Sequence, residues 1–228
     1  MKPLTVRINV CLLLLAAFCL CSWSTPANAQ SVDWQLLPFF QSDWGGSHGQ
    51  AAVTNGNVVT LYGQPVRTVQ TFSGAKRISY DVFLPARNGT DGNLQFLFMP
   101  TGVATDLITP NLKLQMSYDN LGGSDGLMVS SNDTAVLWNQ ASFSISAQTT
   151  YHCVIDVSAA GNLTWIINNA TNSLPGTIKV PYSSYKLEFE GWQPGNVWQV
   201  SNFAVVPEPT TVILVAFGLG LLGVIRRR

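Results

Sequence analysis

Two glutamates one residue apart, Glu188 and Glu190, are the pair in this chain best spaced to share a chemical task. On a strand, residues i and i+2 point to the same face, and retaining glycoside hydrolysis uses two carboxyl groups about 5–5.5 Å apart. No other glutamate precedes Glu208. The simpler reading of Leu187-Glu188-Phe189-Glu190 puts Leu187 and Phe189 in a core and the two glutamates on a solvated face, and no catalytic residue is assigned. Other nucleophile or metal chemistry has less to build on. The two histidines are His48 and His152, and no Gly-x-Ser-x-Gly elbow accompanies them. His152 and Cys153 are neighbours, which on a strand face opposite ways and form no dyad. No zinc-ligand spacing, Walker loop or dinucleotide glycine motif occurs.

Binding chemistry has more material. Trp44, in Ser42-Asp43-Trp44-Gly45-Gly46, and Trp192, in Gly191-Trp192-Gln193-Pro194-Gly195, sit in polar, glycine-rich surroundings that read as loops. Indole faces stack on the apolar C–H faces of sugar rings, and Asn, Asp and Gln read hydroxyls, so these two are the candidate ligand-binding residues. Trp165 and Trp198 fall inside strand patterns and read as core. Asp119, Asn120 and Asp125 bracket an oxygen-rich, glycine-rich loop. Such a loop can hold calcium, but it lacks the EF-hand spacing, and Asp-Asn-Gly clusters are also good turns. Calcium is therefore kept as a possible cofactor beside the simpler hairpin turn, and no other cofactor or metal is expected.

Positioning these groups falls to strands. Between residues 30 and 205 apolar residues recur with period 2 in short runs, with no sustained 3.6-residue period. The runs are Val58–Tyr62, Val66–Phe72, Arg77–Leu84, Leu94–Met99, Leu112–Tyr118, Gly126–Ser130, Ala135–Trp138, Ser142–Ser146, Tyr151–Val157, Leu163–Asn168, Lys186–Glu190 and Val197–Val205. Glycine- and asparagine-rich turns separate them, and Ala159-Ala160-Gly161-Asn162 reads as a hairpin turn. A dozen short strands with polar turns predict an antiparallel β-sandwich in one domain. In Tyr151–Val157 the alternation sends Cys153 inward, as a buried thiol acting as a small hydrophobe, with a reactive or dimer-forming thiol as the alternative.

Both chain ends read as addresses. Lys2 and Arg7 precede an apolar run from Ile8 to Cys21, and Ala27-Asn28-Ala29 offers a small-x-small site, so residues 1–29 are a predicted signal peptide cut between Ala29 and Gln30. Phe18 and Leu20 are too bulky for Cys19 or Cys21 to serve as a lipoprotein site. At the other end Val206-Pro207-Glu208-Pro209 leads into an apolar run from Thr210 to Ile225 and then Arg226-Arg227-Arg228. As a helix this run of about 16 residues rises about 24 Å, short of the roughly 30 Å of bilayer hydrocarbon. The terminal arginines would hold it on the cytoplasmic side. Between the ends, from Gln30 to Val206, seven basic residues face eleven acidic ones, a net charge of −4. That balance argues against a nucleic-acid partner.

The three-part tail, with Gly218, Gly220 and Gly223 in its apolar segment, resembles a PEP-CTERM sorting signal. The resemblance implies export through the inner membrane, transient retention there, recognition by an exosortase-type sorting protease near the Pro-Glu-Pro motif, and delivery to the cell surface or an extracellular polysaccharide matrix. The body, 30–205, resembles the concanavalin A-like/laminin-G jelly-roll superfamily in three stretches: Thr71 to Val82, Tyr151 through Ile167, and Leu187 to Trp192 followed by Val197 to Val205. That superfamily includes lectins, carbohydrate-binding and adhesion modules and glycosidases, some of them calcium-bearing. Its hydrolases show Glu-x-Asp-x-Glu where this chain has only Glu188-Phe189-Glu190. The expectation is a non-enzymatic carbohydrate-binding or adhesive module. A purely structural matrix protein and a jelly-roll glycosidase are the alternatives.

Overall fold

The computed structural model describes residues 32–37, 53–55, 58–61, 65–86, 92–102, 111–118, 125–132, 135–141, 143–172, 174–192 and 197–207. Every regular element among them is a β-strand, and the strands form two sheets with antiparallel pairing. The front sheet runs β1 (Trp34–Leu36), β4 (Val66–Thr68), β14 (Ser184–Trp192), β7 (Gly92–Pro100), β8 (Leu112–Tyr118), β9 (Gly126–Ser131) and β10 (Ala135–Gln140), and β5 (Phe72–Ser73) also pairs with β14. The back sheet runs β13 (Ala170–Asn172), β12 (Leu163–Ile167), β11 (Thr149–Val157), β6 (Lys76–Leu84), β15 (Trp198–Pro207), β3 (Val58–Leu61) and β2 (Val53–Asn55). Late strands pair with early ones, β14 with β4 and β15 with β3, and sequence neighbours such as β6 and β7 sit in opposite sheets. This is an all-β jelly-roll sandwich.

Alternation builds the core. Ile78, Tyr80, Val82 and Leu84 of β6 and Tyr151, Cys153, Ile155 and Val157 of β11 face inward, against Leu187 and Phe189 of β14 and Leu94, Phe96 and Phe98 of β7. Aromatic rings fill the middle. Tyr80 stacks on Phe96 at 5.3 Å, and its ring lies 5.0 Å from Phe189 in an edge contact. Trp165 and Trp198 are fully buried there, as their strand positions predict. The Cys153 thiol is buried and free, with Sγ 4.0 Å from the Met116 sulfur, and burial pushes its pKa well up.

Four local expectations need correction. Val66–Phe72 is not one strand: it breaks between β4 and β5, where the Thr68 hydroxyl donates to the Gln70 carbonyl at 3.0 Å and also accepts from Leu187 N at 3.1 Å. Of the predicted strand Ser142–Ser146, residues 143–146 are irregular because side chains take up their amides. Asp125 Oδ2 accepts from Ile145 N and the Tyr151 hydroxyl from Ser146 N, each at 2.7 Å. β1, β2 and β13 are additional, each three residues long and too short for a period to show. The last strand runs through Val206 and stops at Pro207, where proline supplies no N–H to extend a ladder.

The predicted signal peptide with Ala27, Ala29 and Gln30, the segment Thr210–Ile225, and Glu208, Pro209, Arg226, Arg227 and Arg228 lie outside the described residues. Among those described, no helix is long and apolar enough to cross a membrane.

Candidate functional site

The outer face of the front sheet is polar where a solvent-facing sheet would be expected to be open. Leu187 and Phe189 point into the core, so Glu188 and Glu190 point out of β14. The register then aligns them with the outward residues of neighbouring strands. Arg67, Glu188, Leu97, Lys113 and Ser130 form one row across β4, β14, β7, β8 and β9. Glu190, Gln95, Gln115 and Met128 form the next, and Asn93 lies opposite Ser117 beyond it.

This face is buried. Glu188 is 0% exposed and Glu190 8%, so the solvated face expected for the two glutamates is not what forms. Arg67, Asn93, Gln95, Lys113, Gln115, Ser117 and Ser130 are buried as well. Burying charge is costly unless it is paired, and the row supplies a partner: Arg67 Nε donates to Glu188 Oε2 at 2.7 Å. The amides bond along their own strands. Gln95 Nε2 donates to Asn93 Oδ1 at 3.0 Å, and Gln115 Nε2 to Ser117 Oγ at 2.6 Å. Both are i, i+2 contacts on one strand face.

Chemically, the arrangement combines amides and hydroxyls with buried charges of both signs, Arg67 and Lys113 beside Glu188 and Glu190. A primary amide carries two N–H donors and a carbonyl acceptor, so Asn93, Gln95 and Gln115 can address vicinal hydroxyls in either sense. Glu188 and Glu190 share the face, as their spacing predicts, but Glu188 is engaged by Arg67. The position of each glutamate was legible in the period-2 pattern. The amides carry no such signal, because only the strand register reveals that Asn93, Gln95, Gln115 and Ser117 meet.

The other sequence-level candidates fall as follows. Trp44 lies outside the described residues, as do Asp119 and Asn120 of the candidate calcium loop. Asp125 is described, and its Oδ2 holds Ile145 N. Among the described residues no group of three or more His, Cys, Asp or Glu side chains is placed to hold a metal ion. The backbone of Trp192 is not in a loop: β14 extends to it, opposite Asn93. Trp34 packs on Phe203 and Phe189 at 4.9 and 5.7 Å, and Trp138 is partly buried against the core.

A second polar cluster lies on the outer face of the back sheet. His152 Nδ1 and Asp81 Oδ1 are 2.7 Å apart, and Asn202 Nδ2 donates to Asp81 Oδ2 at 2.7 Å. Arg77 reaches Asp156 with two bonds of 2.7 and 2.8 Å. His152 is exposed on this face while Cys153 is buried on the other, so the two do not meet.

Comparison with known proteins separates the tail from the body. Residues 205–228 match the PEP-CTERM protein-sorting motif. Among curated proteins, none matches the chain by sequence. Solved structures match the body in shape. The metal-free form of the Emp46p carbohydrate recognition domain is 11% identical with a TM-score of 0.57, covering 81% of this chain and 95% of its own. A β-glucanase of Bacillus licheniformis is 14% identical with a TM-score of 0.52, covering 81% and 96%. The carbohydrate-binding module CBM66 of Bacillus subtilis is 11% identical with a TM-score of 0.50, covering 76% and 94%. At such identities the likeness is one of fold. The chain thus joins a PEP-CTERM sorting tail, the mark of an exported protein, to a jelly-roll body shared by carbohydrate-binding domains and glucanases.

Proposed function

We propose that this is an exported, non-enzymatic protein whose body binds carbohydrate of an extracellular polysaccharide matrix through the outer face of the front sheet. The observation that carries this reading is the buried cluster of Asn93, Gln95, Gln115 and Ser117, set beside the Arg67–Glu188 contact. Amides and hydroxyls bond the hydroxyls of a polyhydroxyl ligand, and Arg67 and Lys113 beside Glu188 and Glu190 balance in formal charge. The sorting tail supports the location. An exosortase-type protease would release the body from the inner membrane near Pro207 and deliver it to the surface or medium.

The test is binding of the chain to matrix polysaccharide and to a glycan array, with the variant Gln95→Ala/Gln115→Ala beside the parent. Each buried amide lost removes bonds worth about 0.5–1.5 kcal/mol, so the double variant is expected to bind about 5- to 150-fold more weakly. Equal binding by both proteins would remove the face from consideration. A purely structural matrix protein would show no saturable binding at all. Release of new reducing ends from a polysaccharide, abolished in Glu188→Gln, would replace this reading with the glycosidase alternative.

A further inference from the structure

At one end of the sandwich, three turns surround a pocket of about 290 Å³. They meet there because of register. Val157 at the end of β11 lies opposite Lys76 at the start of β6, and Ser184 at the start of β14 lies opposite Ser73 of β5. The turn after β5 therefore contributes Gly74, the β11–β12 turn contributes Ser158 and Gly161, and the segment entering β14 contributes Tyr182 and Ser183, with Tyr185 beneath. Tyr185 points between the sheets, on the parity opposite Glu188, so the pocket is separate from the outer face of the front sheet.

Its walls are held in place by backbone. Gly161 N donates to the Ser158 carbonyl at 2.8 Å, and Asn162 N to the Ser158 hydroxyl at 3.0 Å. Val180 N donates to the Gly161 carbonyl at 3.0 Å, which ties the hairpin turn to the segment that enters β14. Gly161 has φ +81°, and a Cβ there would lie 3.2 Å from the Val180 oxygen, so the close approach depends on glycine. A pocket formed this way is present before a ligand arrives.

The lining selects a chemical class. It contains no Asp, Glu, Lys, Arg or His. It offers serine hydroxyls and two tyrosines. Tyr182 is half-buried, packed against the core and lining the pocket. The Tyr185 hydroxyl itself is buried away from water, so Tyr185 forms part of the wall and offers no open polar group. Burial pushes its pKa up to about 12, so it adds no charge to the wall.

We propose that this pocket holds one ring of an uncharged saccharide, as a second site apart from the front-sheet face. The proposal rests on the carbohydrate reading for its ligand class, and on none of the same residues. Tyr182 supplies the stacking face, Tyr185 part of the wall, and Ser158 and Ser183 the rim hydroxyls. The volume, at the small end of ligand pockets, suits a single ring, and one ring bound this way is expected to have a Kd on the order of 1 mM.

The experiment uses the full chain, labelled with fluorotyrosine, in a zwitterionic detergent free of sugar. Fluorine spectra are recorded against D-glucose, D-galactose and, as a charged counterpart, D-glucuronate, with resonances assigned through Tyr182→Phe and Tyr185→Phe. The expected result is a saturable shift of both resonances with a neutral sugar, at least tenfold weaker with glucuronate and weakened at least tenfold by Tyr182→Ala. Gln95→Ala/Gln115→Ala should leave it unchanged. No shift of either resonance with glucose or galactose at about 100 mM, far above the expected Kd, would overturn the proposal. So would shifts that survive Tyr182→Ala and vanish in the Gln95/Gln115 variant, although the front-sheet reading would then stand. If both resonances saturate but polysaccharide binding ignores the Gln95/Gln115 variant, the pocket is upheld and the front-sheet reading fails.

Discussion

Replacing Glu188 by Gln separates a face that merely houses its charges from one that uses them. The Arg67–Glu188 contact is 2.7 Å, with side chains 5% and 0% exposed. Charge centres about 4 Å apart attract by about 4 kcal/mol at an effective dielectric of about 20, which offsets the several kcal/mol per ion needed to remove them from water. Glu188→Gln keeps the shape and an acceptor oxygen but removes the carboxylate charge that Arg67 Nε meets at 2.7 Å. The expected loss is about 3–5 kcal/mol. For a body of about 177 residues, each 1 kcal/mol moves Tm by about 2–4 °C, so the variant should melt about 6–20 °C lower by circular dichroism. Arg67→Met/Glu188→Leu removes both charges and should return to within about 1 kcal/mol of the parent or exceed it. A rise in Tm for Glu188→Gln alone would refute this reasoning. A carboxylate kept at a cost in stability is typical of a site that needs it for function, and the glycosidase alternative would then gain ground.

Two further outcomes follow from local geometry. At Asp81, partial burial pushes the carboxyl up, but the hydrogen bonds from Asn202 and His152 and the charge of His152 together bring it below its ordinary value of 3.8. Near that pH the folded state therefore binds fewer protons than the unfolded state. The contribution is present in full above 3.8 and is lost as pH falls through the folded value. Urea midpoints measured down the acid limb should fall less steeply for Asp81→Asn, and parallel curves would count against the assignment. Gly161→Ala places a side chain at φ +81° with its Cβ 3.2 Å from the Val180 oxygen, whereas Gly74→Ala, at φ +65°, meets nothing within 4 Å. Left-handed backbone costs a side chain about 1–2 kcal/mol, so both variants should lose stability in urea unfolding, with Gly161→Ala losing more by the contact with Val180. Equal losses would show that the turn can move away.

The strands that could be read from sequence are those whose alternation runs long enough to exceed chance. Leu112–Tyr118 has the bounds predicted for it, and Tyr151–Val157 and Arg77–Leu84 differ from the observed strands only at their starts. Failures came where a non-local partner decided the outcome. Residues 143–146 carry a strand-like pattern, but Asp125 and Tyr151 bind their amides first. The candidate site was half visible for the same reason. Period 2 puts Glu188 and Glu190 on one face, but it cannot say that Arg67, 121 positions earlier, will sit beside Glu188. The amides of β7 and β8 are unremarkable in sequence and become a site only through the pairing of Gln95 with Gln115 and Asn93 with Ser117. Trp192 reads as a loop residue because Gly191 precedes it, yet Gly191 continues the ladder opposite Leu94. The absent side chain lets Leu61 and Trp198 approach, since a Cβ there would lie 3.3 and 3.4 Å from their side-chain atoms.

The junction between body and tail has a consequence for sorting. Val205 is 1% exposed and belongs to the core, Val206 is half-buried, and Pro207 is exposed at the end of β15. No described core residue follows Val205. A cut close to Pro207 would therefore remove no described core side chain and no described ladder partner. A chain ending at Pro207 should melt within about 2 °C of the full chain, equivalent to less than about 1 kcal/mol. Ending it at Ser201 instead removes Asn202 from Asp81, Phe203 from its contacts with Trp34 at 4.9 Å and Phe189 at 5.7 Å, and Val205 from the core. Losing the core side chain of Val205 and the partly buried Phe203 together costs about 3–5 kcal/mol, so that chain should melt far lower or fail to fold. Unfolding of the Pro207 chain would mean that the tail is part of the folding unit, and a sorting protease could not then release an intact body. Stability of that chain beside collapse of the Ser201 chain would place the permissible cut in the few residues after Val205, where the Pro-Glu-Pro motif lies.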